Sequence, residues 1–515
     1  MFLFFVLLLA FVLRIFNLNQ SLWLDEAVQA VTAKGPFWGI FEELRGDFHP
    51  PLYHILLWGW VRIFGASEVS LRIPSVIFGV GTVGIVYLIM RGISDQRSVI
   101  SNQRSGVGER GLLKSKSLAP GRWSPVTGRR SLVAGCWLPI LGAVFLATAP
   151  FHIYYSQEAR MYSMTTFFAA LSMYFFVKIS NLKSKICYFI STLFLIYSDY
   201  YGFLVLLAQI IGGLIIFRKN LRLYISKFLY FYIFIFLFYL PWLPFLISQF
   251  KTGLVATAAL PEWKNLVNAS FIKAIPLTFV KFAIGRITIF DKKIYALAAG
   301  LIFVIYGLIG GYKGYKSYKD NKYYKLILLW FLIPIFGAWL GSLVVPNYQP
   351  FRLLLILPAF YLLLAIGISS LQSNKVAVFL SSFVILVNLT SLLVYYRNPY
   401  FWREDWRGVA NYLKSQQVPL VISSDTFAWP LVYYQQEKNL IAVGRGVRKV
   451  SEEDKTNLAA NLGQIKTKRL AYTSYLADLY DPEKKIPSWL KEMGFDKIGK
   501  ISFNQVPLWI YENRH

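Results

Sequence analysis

Long apolar runs recur along most of the chain, and they limit its fold more than any other feature. A helix that crosses a bilayer needs about 20 mostly apolar residues, with roughly 17 to 25 tolerated. The chain is 56% hydrophobic and only 16% charged, which is too apolar for an ordinary soluble domain. It is therefore predicted to be a polytopic α-helical membrane protein with about eleven spans. The predicted spans are residues 1–18, 71–90, 132–154, 162–179, 186–200, 203–217, 228–247, 294–312, 326–345, 353–371 and 376–395.

Basic loops orient these spans. The apolar segment 52–64 is too short to cross, so it is predicted to lie in the interface as a juxtamembrane helix. The four loops that are richest in Lys and Arg then fall on one side of the membrane, and such loops face the cytoplasm. They are residues 91–130, 178–185, 218–227 and 313–325. This arrangement places the N-terminus inside and the C-terminus outside a plasma (inner) membrane.

The positive charge fits a membrane partner better than a nucleic acid. The net charge is +28, but the cations lie in short loops where anionic lipid headgroups are available. One arginine and one basic segment fall outside this pattern. Arg14 lies within the first predicted span and is expected to snorkel to the interface. The outer segment 249–293 is also basic, and its part 271–290 is predicted to be a second interfacial helix.

Composition divides the chain into parts. Residues 1–397 are predicted to be the transmembrane unit, with a first outer loop at 19–70. Residues 94–131 are rich in Ser, Gly and Arg without periodicity, which predicts a disordered cytoplasmic insert. Residues 398–515 are predicted to form a small extracytoplasmic α/β domain. Its predicted helices are 402–415, 427–435 and 451–463, and its predicted strands are 419–423, 440–443, 469–473 and 506–511.

Polar side chains collect at the predicted outer ends of the spans. The adjacent acids Asp25 and Glu26 follow the first apolar run, and carboxylates beside hydrocarbon are costly enough to suggest a functional site. The same pair could instead charge the first turn of a surface helix. The other groups predicted to share this outer site are Asp47, His49, Tyr53, Tyr155, Gln157, Glu158, Arg160, Tyr162, Asp199 and Arg352.

A site that mixes carboxylates with arginine suits the cleavage of a lipid-linked phosphate ester. A carboxylate can deprotonate an incoming hydroxyl, and arginine can bind and neutralise a departing phosphate. Purely structural roles are also open. Glu158 and Arg160 could form an interfacial ion pair, and Arg352 could be a snorkelling cation. His49 before Pro50 could likewise be a turn residue.

A divalent cation is a further alternative. The candidate ligands are Glu26, Asp47 and His49, whose spacing matches no known metal motif. No cofactor is therefore assigned from the sequence, and metal dependence is left open.

Five motifs in order resemble a known family. They are W-x-D-E at 23–26, D-x-HPPLY at 47–53, LRIPS at 71–75, YYSQEARMYS at 154–163 and PFRLLLILPAF at 350–360. Together they resemble the bacterial branch of the dolichyl-phosphate-mannose protein mannosyltransferase superfamily, which includes the aminoarabinose transferases that act on lipid A. The resemblance implies an integral membrane glycosyltransferase of the GT-C type. It implies a polyprenyl-phosphate monosaccharide donor, with mannose or another hexose, and a protein, lipid or glycan acceptor.

The resemblance also implies roles for individual residues. Asp25 resembles the general base that activates the acceptor, and Glu26 its partner in the site. His49 would line the lipid-phosphate or acceptor cavity, and Arg160 and Arg352 resemble the arginines near the lipid phosphate. The implied reaction is a single inverting displacement at the anomeric carbon. The aminoarabinose branch has Lys where this chain has His49, so that sugar specificity is not carried over.

Two other functions remain open from the sequence. A flippase or transporter for lipid-linked sugars would place charged or broken helices near the bilayer midplane, whereas the predicted spans here are nearly free of charge. An oligosaccharide polymerase or ligase shares the lipid chemistry but uses a diphosphate donor. We expect the length of the product to separate this function from transfer of one sugar.

Overall fold

The protein up to Arg397 is a bundle of helices. The computed structural model describes residues 1–104, 129–288, 291–319, 321–465 and 467–513. Every predicted apolar run coincides with helix, because apolar length is the strongest local signal in such a chain. The helices are α1 Phe2–Ile15, α2 Leu24–Lys34, α3 Gly39–Gly46, α4 Leu52–Phe64, α5 Glu68–Arg104, α6 Arg129–Thr148, α7 Pro150–Ser156, α8 Tyr162–Val177, α9 Leu182–Ser198, α10 Gly202–Ile216, α11 Leu221–Tyr239, α12 Leu243–Ala259, α13 Trp263–Val267, α14 Phe271–Ile284, α15 Lys292–Tyr306, α16 Gly314–Tyr318, α17 Lys322–Gly341, α18 Leu357–Ser369 and α19 Asn374–Arg397.

The number of spans is smaller than predicted when length is applied strictly. Within the described residues, six helical segments are long and apolar enough to cross a membrane, or seven if the bent pair α6 and α7 counts as one. Helices α1, α4, α8 and α10 are apolar but shorter. The count of about eleven is therefore not confirmed. The six segments are Glu68–Asp95, Phe228–Ala259, Lys293–Tyr318, Lys322–Gly341, Pro350–Ser369 and Asn374–Arg397.

Helix α18 lies at the centre of the bundle. The apolar window of its segment Pro350–Ser369 is 89% buried by protein, which is expected of a helix that is hydrophobic on every side. At Gly367 the backbone lies very close to the π-helical segment Gly307–Lys313. A Cβ at this position would lie 2.0 Å from the Ile309 carbonyl oxygen. Small residues permit such close helix crossings in membrane proteins.

Arg14 does not snorkel, contrary to the prediction. It is fully buried at the 59° bend between α6 and α7. Its guanidinium donates to the carbonyls of Ala147 at 3.2 Å and Leu146 at 3.4 Å, and to Ser156 Oγ at 3.2 Å. A bend at a proline frees backbone carbonyls, so Arg14 is held inside by groups that a membrane cannot satisfy.

The predicted disordered insert is partly helical, and the predicted interfacial helix 271–290 is present but shorter. Helix α5 continues to Arg104 and α6 begins at Arg129, so both ends of the predicted disordered insert 94–131 are ordered; its part 105–128 lies outside the described residues. No Gly or Pro interrupts the chain between Ile93 and Arg104, which explains why the helix persists after the apolar run. Helix α14 ends at Ile284, because Gly285 has a φ of +73°.

The last part of the chain, called here the C-terminal unit (residues 398–513), contains a five-stranded sheet in the order β2-β1-β3-β5-β4. Strand β1 is parallel to β2 and β3, and β5 is antiparallel to β3 and β4. The strands are β1 Leu420–Ser424, β2 Leu440–Gly444, β3 Arg469–Thr473, β4 Phe495–Phe503 and β5 Val506–Asn513. The helices are α20 Trp406–Gln416, α21 Trp429–Tyr433, α22 Glu453–Ile465, α23 Ala477–Tyr480 and α24 Lys485–Glu492.

The sequence prediction for this unit locates four strands and three helices and misses α23, α24 and β4. Strand β4 is an edge strand in which only Phe495 is buried, so its sequence has no apolar run to reveal it. The unit packs on residues 19–70: the hydroxyl of Tyr433 donates to Ala66 O at 2.7 Å, and that of Tyr434 accepts from Leu22 N–H at 3.0 Å.

Candidate functional site

Asp25 and Arg160 form the centre of the polar cluster. Asp25 lies in the first turn of α2, and Arg160 lies in the turn between α7 and α8. Arg160 Nη1 donates to Asp25 Oδ2. The Asp25 side chain is 40% exposed, whereas that of Arg160 is 9% exposed. Asp25 Oδ1 makes no hydrogen bond to any residue that the structure describes, so this oxygen is open to a ligand.

Glu26 is buried, and its carboxylate is saturated with hydrogen bonds. Its carboxylate binds Arg72 in bidentate fashion, at 2.8 Å from Nε and 2.5 Å from Nη2, and accepts from Ala159 N–H at 2.7 Å. Burial alone would raise the pKa of Glu26, but Arg72 and Arg403 hold it below its ordinary value. The sequence prediction placed Glu26 among the catalytic acids; a fully buried, fully bonded carboxylate has no face for a substrate.

Glu158 lies two residues before Arg160, in the same turn between α7 and α8. Its Oε2 pairs with Arg403 Nη1 at 3.1 Å, and its Oε1 has no hydrogen-bond partner in the described chain. Burial raises the pKa of this carboxyl, and Arg403 opposes that effect only in part. Burial would lower the pKa of Arg160, but Asp25 and, less strongly, Glu158 raise it above its ordinary value. Arg160 is therefore a permanent cation.

Asp47 connects two histidines beside this pair. Its Oδ1 lies 2.9 Å from His49 Nδ1, and its Oδ2 lies 3.6 Å from His54 Nε2. Burial would raise the pKa of Asp47, but His49, His54 and Arg160 hold it well below its ordinary value. Burial lowers the pKa of His54 to about 4, so this ring is neutral at pH 7. Its Nε2 also lies 2.7 Å from Gln29 Nε2.

Three side chains that act electrostatically on Asp199 each carry a buried nitrogen without a partner in the described chain. The buried Asp199 carboxylate interacts electrostatically with His49, Arg352 and Arg160. His49 Nε2, Arg160 Nε and Arg352 Nε are buried and have no hydrogen-bond partner among the residues that the structure describes. Buried polar groups are otherwise almost always paired. The cluster is thus suited to an anion that accepts several hydrogen bonds, such as a phosphate.

The remaining predicted cavity residues have mainly structural contacts. Tyr53 is fully buried and bonds Ser75 Oγ at 3.1 Å, which in turn donates to Arg160 O at 3.2 Å. Gln157 Nε2 donates to the carbonyls of Arg14 and Phe16. These two side chains were predicted to line the cavity, but they position backbone instead.

Tyr162 and Tyr155 belong to an aromatic group next to Arg160. Their ring centres lie 5.3 Å apart, and both rings contact Phe351, which precedes Arg352. The Arg160 guanidinium lies 5.2 Å from the centre of the Tyr162 ring. This group connects the turn after α7 to the segment that carries Arg352, so two distant parts of the sequence meet at the cluster.

The metal ligands suggested by the sequence do not come together. Glu26 is bound to Arg72, whereas Asp47 contacts His49. No group of three or more His, Cys, Asp or Glu side chains that could hold an ion occurs in the described part of the chain.

Sequence reasoning missed Arg72 and Arg403. Arg72 belongs to the LRIPS motif, and a charged residue at the start of a long apolar run was the signal that could have identified it. Arg403 follows the last span, in a segment whose composition resembles any soluble loop, and only the folded chain brings it to Glu158.

The chain has the fold of GT-C glycosyltransferases, as its likeness to solved structures shows. The model of the dolichyl-phosphate-mannose-protein mannosyltransferase family matches residues 48–101, which contain the HPPLY and LRIPS motifs. No curated protein matches the chain. The resemblance predicted from the sequence is confirmed.

Solved structures with the same fold include ArnT from Cupriavidus metallidurans. The apo structure has 11% identity and a TM-score of 0.51, with 99% of this chain and 97% of ArnT covered. ArnT bound to undecaprenyl phosphate has 10% identity, a TM-score of 0.52 and the same coverage. The oligosaccharyltransferase of Archaeoglobus fulgidus, in complex with Zn and sulfate, has 12% identity and a TM-score of 0.50, with 100% of this chain and 73% of that chain covered.

Proposed function

We propose that this protein transfers one monosaccharide from a polyprenyl-phosphate donor to an acceptor hydroxyl at the extracytoplasmic face of the membrane. One observation carries the proposal. An open carboxylate oxygen on Asp25 lies beside Arg160, whose Nε is unpartnered within the described chain, as are Arg352 Nε and His49 Nε2. A base and an anion site therefore adjoin each other.

The groups are suited to a single displacement. The acceptor hydroxyl gives its proton to Asp25 Oδ1, and its oxygen forms a bond to the anomeric carbon. The bond between that carbon and the phosphate oxygen breaks, and the electron pair leaves with the polyprenyl phosphate. Arg160, Arg352 and His49 stabilise the developing phosphate charge. Attack opposite the phosphate inverts the anomeric centre.

Three further points support the donor and the face. ArnT, which has the same fold, has been solved with undecaprenyl phosphate, a lipid of the proposed class. The basic loops favour the opposite side of the membrane from the site. The C-terminal unit contacts the first outer loop, and we infer that an acceptor approaches on this side. We assign the protein to the plasma (inner) membrane on the same grounds.

The test uses purified protein in liposomes, with labelled polyprenyl-phosphate mannose as donor and a cell-envelope extract as acceptor. Asp25→Asn is compared with Asp291→Asn, a control in which an exposed carboxylate that caps α15 is changed. We expect the label to leave the lipid with the wild type and the control and to remain there with Asp25→Asn. Mannose is replaced by other hexoses before a negative result is accepted.

Other outcomes would support the alternatives. Label that stays on the lipid but reaches the opposite leaflet would favour a flippase. Products that carry many sugars, formed only from a diphosphate donor, would favour a polymerase or ligase. An unchanged transfer rate in Asp25→Asn would mean that Asp25 is not the general base.

A further inference from the structure

Arg403 of the C-terminal unit contacts both acids that adjoin the Asp25–Arg160 pair. It lies in the short segment between α19 and α20. Its Nη1 is 3.1 Å from Glu158 Oε2, and its Nε is 3.7 Å from Glu26 Oε2. The Arg403 side chain is only 2% exposed. One guanidinium thus joins a carboxylate on the α7–α8 turn to a carboxylate on α2.

Arg403 also binds the end of α7. Its Nη2 donates to the carbonyl of Gln157 at 2.8 Å and to that of Tyr154 at 3.2 Å. The last carbonyls of a helix lack partners within the helix and favour a cation. The guanidinium carbon also lies 4.5 Å from the centre of the Tyr154 ring, a favourable arrangement for a cation.

The neighbours of Arg403 attach the same segment to α2. Its backbone N–H donates to Gln20 Oε1 at 3.1 Å. The next residue, Glu404, accepts through Oε2 from Leu24 N–H at 3.3 Å. Leu24 begins α2, and its N–H is one of the groups that a helix start leaves free. The segment therefore fixes the start of the helix that carries Asp25.

We propose that Arg403 is a positioning residue that holds the α7–α8 turn against α2 and so keeps Arg160 beside Asp25. Arg160 follows Glu158 by two residues, and its N–H donates to Glu158 O at 2.8 Å. Asp25 directly precedes Glu26. A shift of either acid would therefore move a member of the proposed catalytic pair. The effect on rate rests on the proposed function, whereas the effect on the position of the turn does not.

The main variant removes the contacts of Arg403 with Glu158 and Glu26, called here the clamp, without leaving an unpaired buried charge. Arg403→Met alone would leave Glu158 unpaired and could prevent folding, since loss of one partner of a buried pair is strongly destabilising. Arg403→Met combined with Glu158→Gln avoids this. Arg407→Met is the matched control, because Arg407 lies in the same region of the chain but pairs with Glu68 at 3.3 Å, and its side chain is 42% exposed.

The first readout is amide hydrogen exchange of folded protein in detergent. In the double variant we expect exchange in the peptide that covers residues 157–161 to become at least about tenfold faster, since Ala159 N–H is held by Glu26. The Arg407→Met protein should exchange at that peptide like the wild type. Unchanged exchange in the double variant overturns the proposal, whatever the activity.

The second readout is the transfer rate per folded molecule. We expect kcat of the double variant to fall roughly 100-fold, because a displacement of about 1 Å has this cost, while Arg407→Met keeps the wild-type rate. In the fraction of Arg403→Ala protein that folds, added guanidinium ion should raise the transfer rate at least about tenfold, which a general loss of folding would not permit. A double variant with the wild-type rate, or an Arg403→Ala protein that guanidinium does not rescue, overturns the catalytic part.

The two proposals can fail separately. Faster exchange at the turn, with no transfer by the wild type, supports the clamp and rejects the proposed function. Transfer by the wild type, with exchange and rate unchanged in the double variant, supports the function and rejects the clamp.

Discussion

Arg72 binds both carboxylate oxygens of Glu26, at 2.8 Å and 2.5 Å, and neither side chain is exposed by more than 1%. The remaining guanidinium N–H groups donate to the carbonyls of Leu18, Gln20 and Ser21. The pair thus fastens the start of α5 to α2 and to the segment before it. The two adjacent acids therefore differ in role: Glu26 holds the helix in place, whereas Asp25 faces the site.

Glu26→Gln should reduce stability. The change leaves the Arg72 guanidinium buried without its counter-ion, and breaking a buried pair in this way costs about 3–5 kcal/mol. Unfolding of the purified protein in detergent measures the effect. Arg72→Met combined with Glu26→Gln should be more stable than Glu26→Gln alone, since no unpaired charge remains. Wild-type stability of Glu26→Gln would contradict the structural role assigned to this acid.

Asp25→Asn should abolish transfer with little loss of stability, because Asp25 is partly exposed and Arg160 keeps Glu158 and Asp47 as nearby counter-charges. The amide oxygen can still accept from Arg160, but it cannot take a proton from an acceptor, so the rate should fall by roughly 10²–10⁴. The measurement is the transfer rate per folded molecule, together with the midpoint of thermal unfolding. An Asp25→Asn protein that is both inactive and unstable would suggest that the pair with Arg160 is structural.

Arg352→Ala should weaken binding of the donor more than binding of the acceptor. A charge-assisted hydrogen bond to phosphate contributes about 1.5–3 kcal/mol, so KM for the lipid donor should rise roughly 10-fold to 100-fold. KM for the acceptor should change little. Arg397→Ala is the control, since this arginine is exposed at the end of α19. Equal effects on both substrates would remove Arg352 from the phosphate site.

The sequence predicts the helices well and the side-chain pairs less well, for a physical reason. Apolar length is a local property, so the runs that became α5, α17 and α19 can be found without knowledge of the fold. The acid pair and the arginine after YYSQEA were likewise identified as polar groups among apolar runs. Which acid is open and which is buried depends on contacts with Arg72 and Arg403, and these are distant in the chain.

The stability of the protein should depend on pH through His54. Burial lowers the pKa of its imidazole to about 4, whereas an unfolded histidine titrates near pH 6.5. Between these values the unfolded chain binds the extra proton, so stability rises with pH across this window and is lost as pH falls through it. The full difference corresponds to about 3 kcal/mol.

His54→Gln should remove most of this pH dependence. Glutamine cannot take up a proton, so the midpoint of thermal unfolding should change less between pH 7 and pH 5 than in the wild type. Asp47 does not affect this comparison. Its pKa is lowered, so its contribution to stability is lost only in more acidic solution. An equal slope in both proteins would mean that another group takes up the proton.

Gly79→Ala should disturb the site from a distance. A Cβ at Gly79 on α5 would lie 2.3 Å from Ser156 Oγ and 2.9 Å from Arg14 Nε, at the bend that leads into the turn carrying Arg160. Overpacking of this kind costs about 1–3 kcal/mol. Because α7 would have to move, the transfer rate should also fall. Gly84→Ala on the same helix is the control.

The control differs from the test only in the space around the added methyl group. At Gly84 the nearest atom is Leu7 Cδ2 at 3.8 Å, an ordinary contact, and alanine is favoured over glycine in a helix by about 0.8–1.0 kcal/mol. Gly84→Ala should therefore be at least as stable as the wild type and equally active. If Gly79→Ala matches it in unfolding midpoint and in rate, the bend between α6 and α7 does not control the position of Arg160.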